Sequence, residues 1–460
     1  MKTTHRLIMA GLVTAGVFAA GIAHATNGYF THGTGTKNKG MSGAGIALPQ
    51  DAIDAVNNPA VATKVGNSMQ LGVSLFSPQR SYRTSESMAN GNFGAFTIGP
   101  NDIDSDSEYF LIPHFSRAWQ KANDAAFVFS FYGRGGMNTD WRGGTATFDP
   151  DGPGPAPVMT LPGTFGAGNA GVDLMQGFMD ITWANEFSDN TSFGIAAVLA
   201  FQMFEAKGVA TFAGFTKHFA ASGGTSFPTH LSNNGRDFSY GGGLKLGLHS
   251  ELTDKVSLGV MYQTQIWMTE FDDYADLFAK GGDFDIPANF KIGLTWEARD
   301  SLYWSFDIEH TWFSKVDAVG NSIRNIFACP TSPAMGPDVE SCLGGSNGAG
   351  FGWDDMTTYK LGVQWNAGND WTWRAGYSHG DQPIPSSEMT FNILAPAVVE
   401  DHWSVGFTRL LGANKNRELN FAFTYVPSNA QTGMNNFDPS QTITWEMEQF
   451  DIELSYGWRF

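Results

Sequence analysis

Residues 450–460 read FDIELSYGWRF, and apolar side chains occupy every second position of this stretch. Alternation with a period of two is typical of a β-strand whose two faces differ. The opposite face carries Asp451, Glu453, Ser455 and Arg459. Rings on the apolar face suit contact with lipid, because Trp and Tyr settle where hydrocarbon meets the headgroups. The apolar positions are Phe450, Ile452, Leu454, Tyr456, Trp458 and Phe460.

The same alternation recurs along the chain in fourteen segments. In one of them Trp304 and Phe306 oppose Asp307, and in another Trp371 and Trp373 oppose Arg374. An even number of strands lets antiparallel neighbours close into a barrel, as in bacterial outer membranes. The segments are 67–83, 108–120, 124–136, 171–187, 191–205, 236–252, 255–270, 283–299, 301–317, 353–367, 370–380, 398–411, 416–427 and 443–460.

The connections between these segments alternate between short and long. Outer membrane barrels have short periplasmic turns and long extracellular loops, whereas a soluble β-sandwich has no reason to separate them. We therefore predict an all-β fold, a 14-stranded antiparallel transmembrane β-barrel. The short set is 120–123, 188–190, 253–254, 298–300, 367–369 and 412–415, and the long set is 84–107, 137–170, 206–235, 271–282, 318–352, 381–397 and 428–442.

The N-terminus has the features of a secretory signal peptide. Lys2 and Arg6 precede an apolar run from residue 7 to residue 23, and Ala23-His24-Ala25 offers a small-x-small cleavage site. We predict a signal peptide over residues 1–25 and a mature chain from Thr26, with an uncleaved anchor helix as the alternative. No later stretch approaches the roughly 18 apolar residues that a spanning helix needs.

Composition excludes some classes of partner and predicts one covalent link. The net charge is -18, and without the two signal-peptide cations it is -18 - 2 = -20, so nucleic acid is an unsuitable partner. Cys329 and Cys342 lie thirteen positions apart in a long loop of an exported chain, which predicts a disulfide. The nearby Asp338 and Glu340 are too few to indicate a metal site, and we expect no cofactor.

Residues 26–66 lack strand alternation and are rich in small side chains. Their run from Gly40 to Ala60 resembles the long-chain fatty acid transporters of the outer membrane (FadL-like), including their relatives for toluene and other hydrocarbons. Two further stretches carry the resemblance, FDIPANFKIGLTW over 284–296 and RAGYSHGDQPIPSSEMTFNILAP over 374–396. The pattern G-x-x-x-A-x-x-x-D-A-x-x-x-x-x-N-P-A is matched by Gly43, Ala47, Asp51, Ala52, Asn58, Pro59 and Ala60.

The resemblance implies a barrel of residues 67–460 whose N-terminal segment, residues 26–66, folds inside the lumen as a hatch or plug. A flexible periplasmic tail is the alternative for that segment. In this family, ligand passes from extracellular loops to a pocket in the barrel and leaves sideways at a kinked third strand. Gly133 and Gly135 are the candidates for the kink, since glycine inside a strand marks bends and bulges, although glycines at a strand end also start loops.

Candidate ligand-binding residues come from loop rings and lumenal cations. The loop segments 209–219 and 159–165 expose apolar side chains, and Phe212, Phe215 and Phe219 would share a face if their stretch were helical, where packing within the loop is the alternative. A fatty acid carboxylate needs a cation, and alternation places Lys245, Lys291 and Arg374 on the lumenal face. These three could equally neutralise lumenal carboxylates such as Asp180, Asp307, Glu309 and Glu453.

The sequence and the resemblance together predict a passive channel in the outer membrane of a Gram-negative bacterium for fatty acids or for aromatic or aliphatic hydrocarbons. We expect no enzyme activity, because no catalytic arrangement stands out and His402 beside Ser404 is a pairing that chance supplies. A general porin for polar solutes and an adhesin or structural barrel are the alternatives. The expected partners are outer membrane lipids, lipopolysaccharide and, through Phe460, the barrel assembly machinery, with the chain a monomer.

Overall fold

Each strand of the wall pairs antiparallel with the strand before it and the strand after it, and the last strand pairs with the first. The computed structural model describes residues 27–121, 124–150, 156–331 and 336–460. The signal-peptide prediction lies outside these residues. The wall strands are β1 (Ser68–Thr84), β2 (Phe110–Gln120), β3 (Ala125–Asn138), β4 (Gly171–Ser188), β5 (Thr191–Lys207), β6 (Asp237–Thr253), β7 (Val256–Gln263), β8 (Asn289–Arg299), β9 (Leu302–Thr311), β10 (Met356–Gly368), β11 (Trp371–His379), β12 (Asp401–Leu411), β13 (Arg417–Asn435) and β14 (Asp438–Arg459).

The closing seam runs from the pair Ser68–Arg459 to the pair Thr84–Ile443, so the sheet has no open edge there. Along β14, Asp451 and Glu453 are buried while Leu454 is 48% exposed on the outside. The apolar face therefore meets lipid and the polar face meets the lumen. The predicted fourteen-stranded antiparallel barrel is confirmed.

Helices are short and none of them belongs to the wall. No helix among the described residues has the length and apolar character needed to span a bilayer. The α-helices are α1 (Thr36–Lys39), α2 (Asp54–Asn57), α3 (Lys217–Ala221), α4 (Ala279–Gly282) and α5 (Asp317–Gly320); the 3₁₀ helices are Pro59–Lys64, Ala210–Phe215, Asp272–Tyr274, Phe313–Lys315, Ile323–Ala328, Val339–Ser341 and Phe391–Ile393.

Extracellular loops add small sheets to the rim. Thr97–Ile98, Thr145–Phe148 and Met159–Pro162 form a three-stranded sheet of their own, and Asp102–Asp104 pairs with β1. In the loop between β9 and β10, a disulfide joins Cys329 to Cys342. The two cysteines predicted to pair are therefore linked.

Three strand predictions were too long. The segment 255–270 ends as a wall strand at Gln263, and Trp267–Met268 folds back onto β6, because Ile266 turns inward into the core. The segment predicted from residue 283 starts only at Asn289, after Pro287, which has no N–H for a ladder. The segment predicted to run to residue 317 ends at Thr311, where a 3₁₀ turn buries Phe313.

The predicted loop 428–442 was also wrong. β13 and β14 continue through it as a hairpin that turns between Asn435 and Asp438. Its outward face carries polar side chains such as Thr432 and Thr444, which are hydrogen-bonded to each other. Its inward face is also polar, because Asn435, Asp438 and Gln441 are buried there and hydrogen-bonded to another loop. Apolar–polar alternation is therefore lost, and the strand signal ends before the strand does.

The segment of residues 27–66, hereafter the hatch, lies inside the barrel. Its helices α1 and α2 and the first residues of the 3₁₀ helix Pro59–Lys64 are buried. α1 packs against β12, β13 and β14, and the 3₁₀ helix packs against β5, β6 and β4. The lumen is thus occupied by the chain's own N-terminal segment, as predicted for the fold.

Candidate functional site

Glycines on the lumenal face of the wall let the backbone of the hatch touch the strands. A Cβ on Gly194 would lie 2.3 Å from the carbonyl carbon of Pro59, and a Cβ on Gly376 would lie 2.1 Å from that of Met41. Any larger residue at these positions would push the hatch away. The wall glycines that contact the hatch in this way are Gly194, Gly247, Gly259, Gly293, Gly362, Gly376 and Gly406.

Asn58 organises the second half of the hatch. Its side-chain oxygen accepts a hydrogen bond from the N–H of Ala60 at 3.1 Å and so caps the 3₁₀ helix that starts at Pro59. Its side-chain amide donates to the carbonyls of Ile46 (3.2 Å) and Leu248 (3.0 Å). The Asn-Pro-Ala part of the motif therefore joins a turn, another part of the hatch and strand β6.

The other motif residues are buried at contacts of the hatch. Gly43 has φ 79°, and a Cβ there would lie 1.9 Å from the carbonyl oxygen of His32. The carbonyl of Ala47 faces the ring of His249 on β6, and Asp51 pairs with Lys37 at 3.3 Å. Ala52 belongs to a cluster of small apolar residues shared with β2, β3 and β4. All these residues hold the hatch in place and none lines the loop cavity described below.

Two lysines of α1 pair with carboxylates of the wall. Lys37 lies 2.6 Å from Glu418 on β13, and Lys39 lies 2.8 Å from both Asp451 and Glu453 on β14. Burial alone would lower the pKa of Lys39, but the two carboxylates raise it above its usual range, so the lysine stays charged. The hatch is therefore clamped electrostatically on this side.

Lys245 and Lys291 are lumenal, but their charges are already matched. Lys245 is fully buried, lies 2.7 Å from Asp180 and donates to the hydroxyl of Tyr132 and the carbonyl of Val56. Lys291 lies 3.2 Å from Glu309. Neither lysine lines the loop cavity. The structure thus places both in carboxylate clusters rather than beside a ligand pocket.

Glu309 on β9 is the centre of a buried ionic cluster, of which sequence analysis suggested only neutralisation by a lumenal cation such as Lys291. It accepts from Lys360 at 2.6 Å and from Arg134 at 3.2 Å, in addition to its pairing with Lys291. Lys360 also donates to the carbonyl of His32 in the hatch. Alternation placed Lys291 and Glu309 in the lumen, but it carried no information on which other side chains meet them.

Gly133 and Gly135 flank an irregularity in β3. Gly133 pairs with Gly177 and Gly135 pairs with Gln176, so Arg134 is an extra residue and the strand has a β-bulge there. Beyond Tyr132, β3 no longer pairs with β2, although β2 continues to pair with β1 as far as Phe110. In the described part of the chain, the upper part of β3 is therefore unpaired with β2.

The first residues of the hatch pair with the upper part of β3, along the edge that is not paired with β2. Phe30 forms a β-bridge with Gly135, the N–H of Thr31 donates to the carbonyl of Arg134 at 2.9 Å, and the N–H of Gly136 donates to the carbonyl of Tyr29 at 3.0 Å. Beside it, apolar side chains of three wall strands cluster. They are Phe76, Phe110, Ile112 and Met175, with Met203 packed against them.

A narrow apolar cavity of about 40 Å³ lies among four long loops above the hatch. Phe212 lines it, and Phe165 packs against Phe212 with ring centroids 5.5 Å apart. All of its lining side chains are apolar, and Gly350 contributes only backbone. They are Val172, Phe204, Val209, Phe212, Leu231, Leu277, Phe278, Ala318, Leu343, Ala349, Gly350, Phe351, Phe391 and Leu394.

Phe212, Phe215 and Phe219 do not share a helix face, so that expectation was wrong. A 3₁₀ helix ends at Phe215, and α3 begins separately at Lys217 after Thr216, whose side chain caps it. Phe212 and Phe215 both pack near Phe437, whereas Phe219 packs on the exposed Phe227. The capping threonine was the signal that could have revealed the break.

Residues 160–453, more than half of the chain, match the model of the family described as "Outer membrane protein transport protein (OMPP1/FadL/TodX)". This chain belongs to that family. The OMPP1/FadL/TodX proteins are transport channels of the Gram-negative outer membrane, which is therefore where this chain resides, and they are not enzymes. The predicted resemblance and location are confirmed. A search of curated protein sequences finds no match.

Solved structures of OMPP1/FadL/TodX proteins share the fold. The toluene transporter TodX of P. putida has a TM-score of 0.62 at 15% identity, with 94% of this chain and 99% of that chain covered. A FadL homologue of Pseudomonas aeruginosa has a TM-score of 0.63 at 16% identity over 94% and 100% of the two chains. The toluene transporter TbuX of Ralstonia pickettii has a TM-score of 0.56 at 14% identity over 94% and 99%.

Proposed function

We propose that this chain admits uncharged hydrophobic compounds by passive diffusion, with aromatic hydrocarbons as the best-fitting substrates. The observation that carries the proposal is the lining of the loop cavity, which is apolar throughout and holds five phenylalanines. An ionised carboxylate buried there would lack a partner, at a cost of several kcal/mol. Proteins called toluene transporters share this fold, so the fold can house a channel for aromatic hydrocarbons.

Capture requires movement of the loop rings. The cavity of about 40 Å³ is smaller than the ~150 Å³ that holds benzene in an engineered protein core. Phe212 and Phe391 are packed edge to face with centroids 5.2 Å apart and belong to different loops. Separation of these two loops enlarges the cavity, so we propose that ligand enters between them.

A series of aromatic rings leads from the cavity to the bulge of β3. Phe278 lies 5.0 Å from Phe284, Phe284 lies 6.2 Å from Tyr29, and Tyr29 lies 4.6 Å from Phe30. A hydrocarbon that follows these rings avoids water, which matters because each exposed CH₂ costs about 0.8 kcal/mol. The ring of Phe30 reaches β3, where the guanidinium of Arg134 lies over it at 4.6 Å.

Release into the membrane follows if the first residues of the hatch move. Residues 29–31 fill the edge of β3 that lacks a β2 partner, and the apolar cluster around Ile112 lies beside it. The ion pairs of Lys37 and Lys39 hold the rest of the hatch to the wall. We therefore propose a local rearrangement at residues 29–31 of the hatch, followed by lateral release between β2 and β3.

The partners predicted from the sequence remain part of this proposal. Phe460 is 71% exposed and its ring lies under the guanidinium of Arg117 at 4.0 Å, so it is accessible to an assembly factor. Exposed rings along the outer wall suit contact with lipids and lipopolysaccharide. A closed wall needs no second copy, which suits a monomer.

Uptake of toluene and of oleate by cells that lack their own hydrophobic channels tests the proposal. We expect expression of this chain to raise toluene uptake and to leave oleate uptake at the level of the empty vector. Ala349→Leu fills the cavity and should lower toluene uptake at least fivefold. Ala197→Leu adds the same side chain to the lipid-facing surface of β5 and should change nothing.

Each alternative gives a different result in the same assay. Oleate uptake that exceeds toluene uptake would assign the chain to fatty acids. A general porin would raise the uptake of small sugars, which a lumen occupied by the hatch should not do. An adhesin or structural barrel would raise no uptake at all.

A further inference from the structure

A second cavity, of about 490 Å³, lies at the opposite end of the barrel from the loops. It is bounded by the hatch at Pro49 and Gln50 and by the turn from Gly368 to Trp371. Short turns of this kind are periplasmic in outer membrane barrels. This cavity, hereafter the floor cavity, is separate from the loop cavity and shares no lining residue with it.

Arg374 on β11 projects into the floor cavity and is 6% exposed. Its Nε donates to the side-chain oxygens of Gln50 (2.9 Å) and Gln364 (2.8 Å), and one terminal nitrogen donates to the hydroxyl of Thr408 (2.8 Å). All three acceptors are neutral. Among the described residues, no carboxylate lies within ion-pair distance of this buried guanidinium.

The other charges of the floor cavity are matched with one another. Four cations line it, and its two carboxylates, Asp370 and Glu418, are paired with the other three cations, so Arg374 is the lining cation without an ion pair. The ion pairs are Lys37–Asp51, Lys37–Glu418, Arg459–Glu418 and Lys415–Asp370.

We propose that the floor cavity binds a small organic carboxylate, with Arg374 as the residue that takes the carboxylate. A guanidinium pairs with a carboxylate through two parallel hydrogen bonds, which a lysine cannot reproduce. Leu410 and Pro49 supply apolar surface beside it for the body of the ligand. The volume admits a ligand with one ring. The site does not depend on transport through the loop cavity.

Titration calorimetry with benzoate on the purified, detergent-solubilised protein tests this proposal. We expect saturable binding of benzoate and none of benzamide, which has the same shape without the charge. Arg374→Gln should weaken benzoate binding at least tenfold. Arg299→Gln removes an exposed arginine at the end of β8, away from the floor cavity, and should leave binding unchanged.

Equal binding of benzoate and benzamide, absence of benzoate binding at millimolar concentration, or unchanged binding by Arg374→Gln would each overturn the proposal. Displacement of benzoate by equimolar sulfate would also overturn it, because it would reduce the floor cavity to a general anion site. If Arg374→Gln fails to fold, Arg374→Lys takes its place as the test. Lysine keeps the positive charge but lacks the two parallel N–H donors of the guanidinium group. Benzoate binding at least threefold weaker than in the wild type supports the proposal, and unchanged binding contradicts it.

Discussion

Lys39 illustrates how single residues hold the hatch. Its ammonium group contacts Asp451 and Glu453 at 2.8 Å each and donates to the hydroxyl of Ser74 at 3.2 Å. Such a buried group stabilises less than its short contacts suggest, because desolvation offsets much of the attraction. Removal of one partner has a large effect, however, since it leaves the opposite charges buried and unpaired.

Lys39→Met should therefore lower the free energy of unfolding by about 3–5 kcal/mol. Hydrogen exchange followed by mass spectrometry should show the loss mainly in residues 27–66, because the wall keeps its strand pairing. Lys207→Met is the matched control: Lys207 is about half exposed and its pair with Glu205 is worth at most about 1 kcal/mol. Equal exchange in both variants would mean that Lys39 does not clamp the hatch.

Strands β5 and β6 show how an element is shaped for the hatch. Gly194 and Gly247 face the lumen, and a Cβ on either would meet backbone or side-chain atoms of residues 58–60. On the same pair of strands, Gly242 has no atom closer than 3.5 Å to a Cβ. Glycine at the first two positions therefore reflects close approach.

Gly194→Ala should lower the free energy of unfolding by about 1–3 kcal/mol, because the added carbon overlaps the backbone of the hatch. Gly242→Ala should be neutral or slightly stabilising, because the new methyl meets its neighbours at ordinary van der Waals distance and the unfolded chain loses freedom. Urea denaturation of both variants in detergent compares them. A neutral Gly194→Ala would show that the hatch does not press against β5.

Elements were predictable where one face meets lipid and the other meets the lumen. That contrast located fourteen strands, but it failed beyond the membrane, as in the hairpin of β13 and β14, where both faces are polar. It also failed at β7 and β8, where apolar residues such as Ile266 and Phe284 point into the barrel. Apolar–polar alternation shows which face of a strand meets lipid and which meets the lumen. It carries no information about where the hydrogen-bond pairing between strands stops.

At the scale of the whole molecule, two cavities lie at opposite ends of a filled barrel, and neither was visible in the sequence. The alternation places Lys245, Lys291 and Arg374 alike on the lumenal face of their strands. Only the fold shows that the two lysines are in ion pairs whereas Arg374 bonds to neutral side chains. The loop cavity is assembled from residues far apart in the chain, such as Val172 and Leu394, which no local pattern connects.

Toluene uptake through a protein whose hatch is cross-linked to β3 tests lateral release most directly. Phe30 and Gly135 are bridge partners, so cysteines at these positions lie within reach of a disulfide. We expect oxidised Phe30→Cys/Gly135→Cys to reduce uptake to the vector level and reductant to restore it, while wild-type uptake is unaffected by either treatment. Unchanged uptake by the oxidised, fully cross-linked protein would contradict release between β2 and β3.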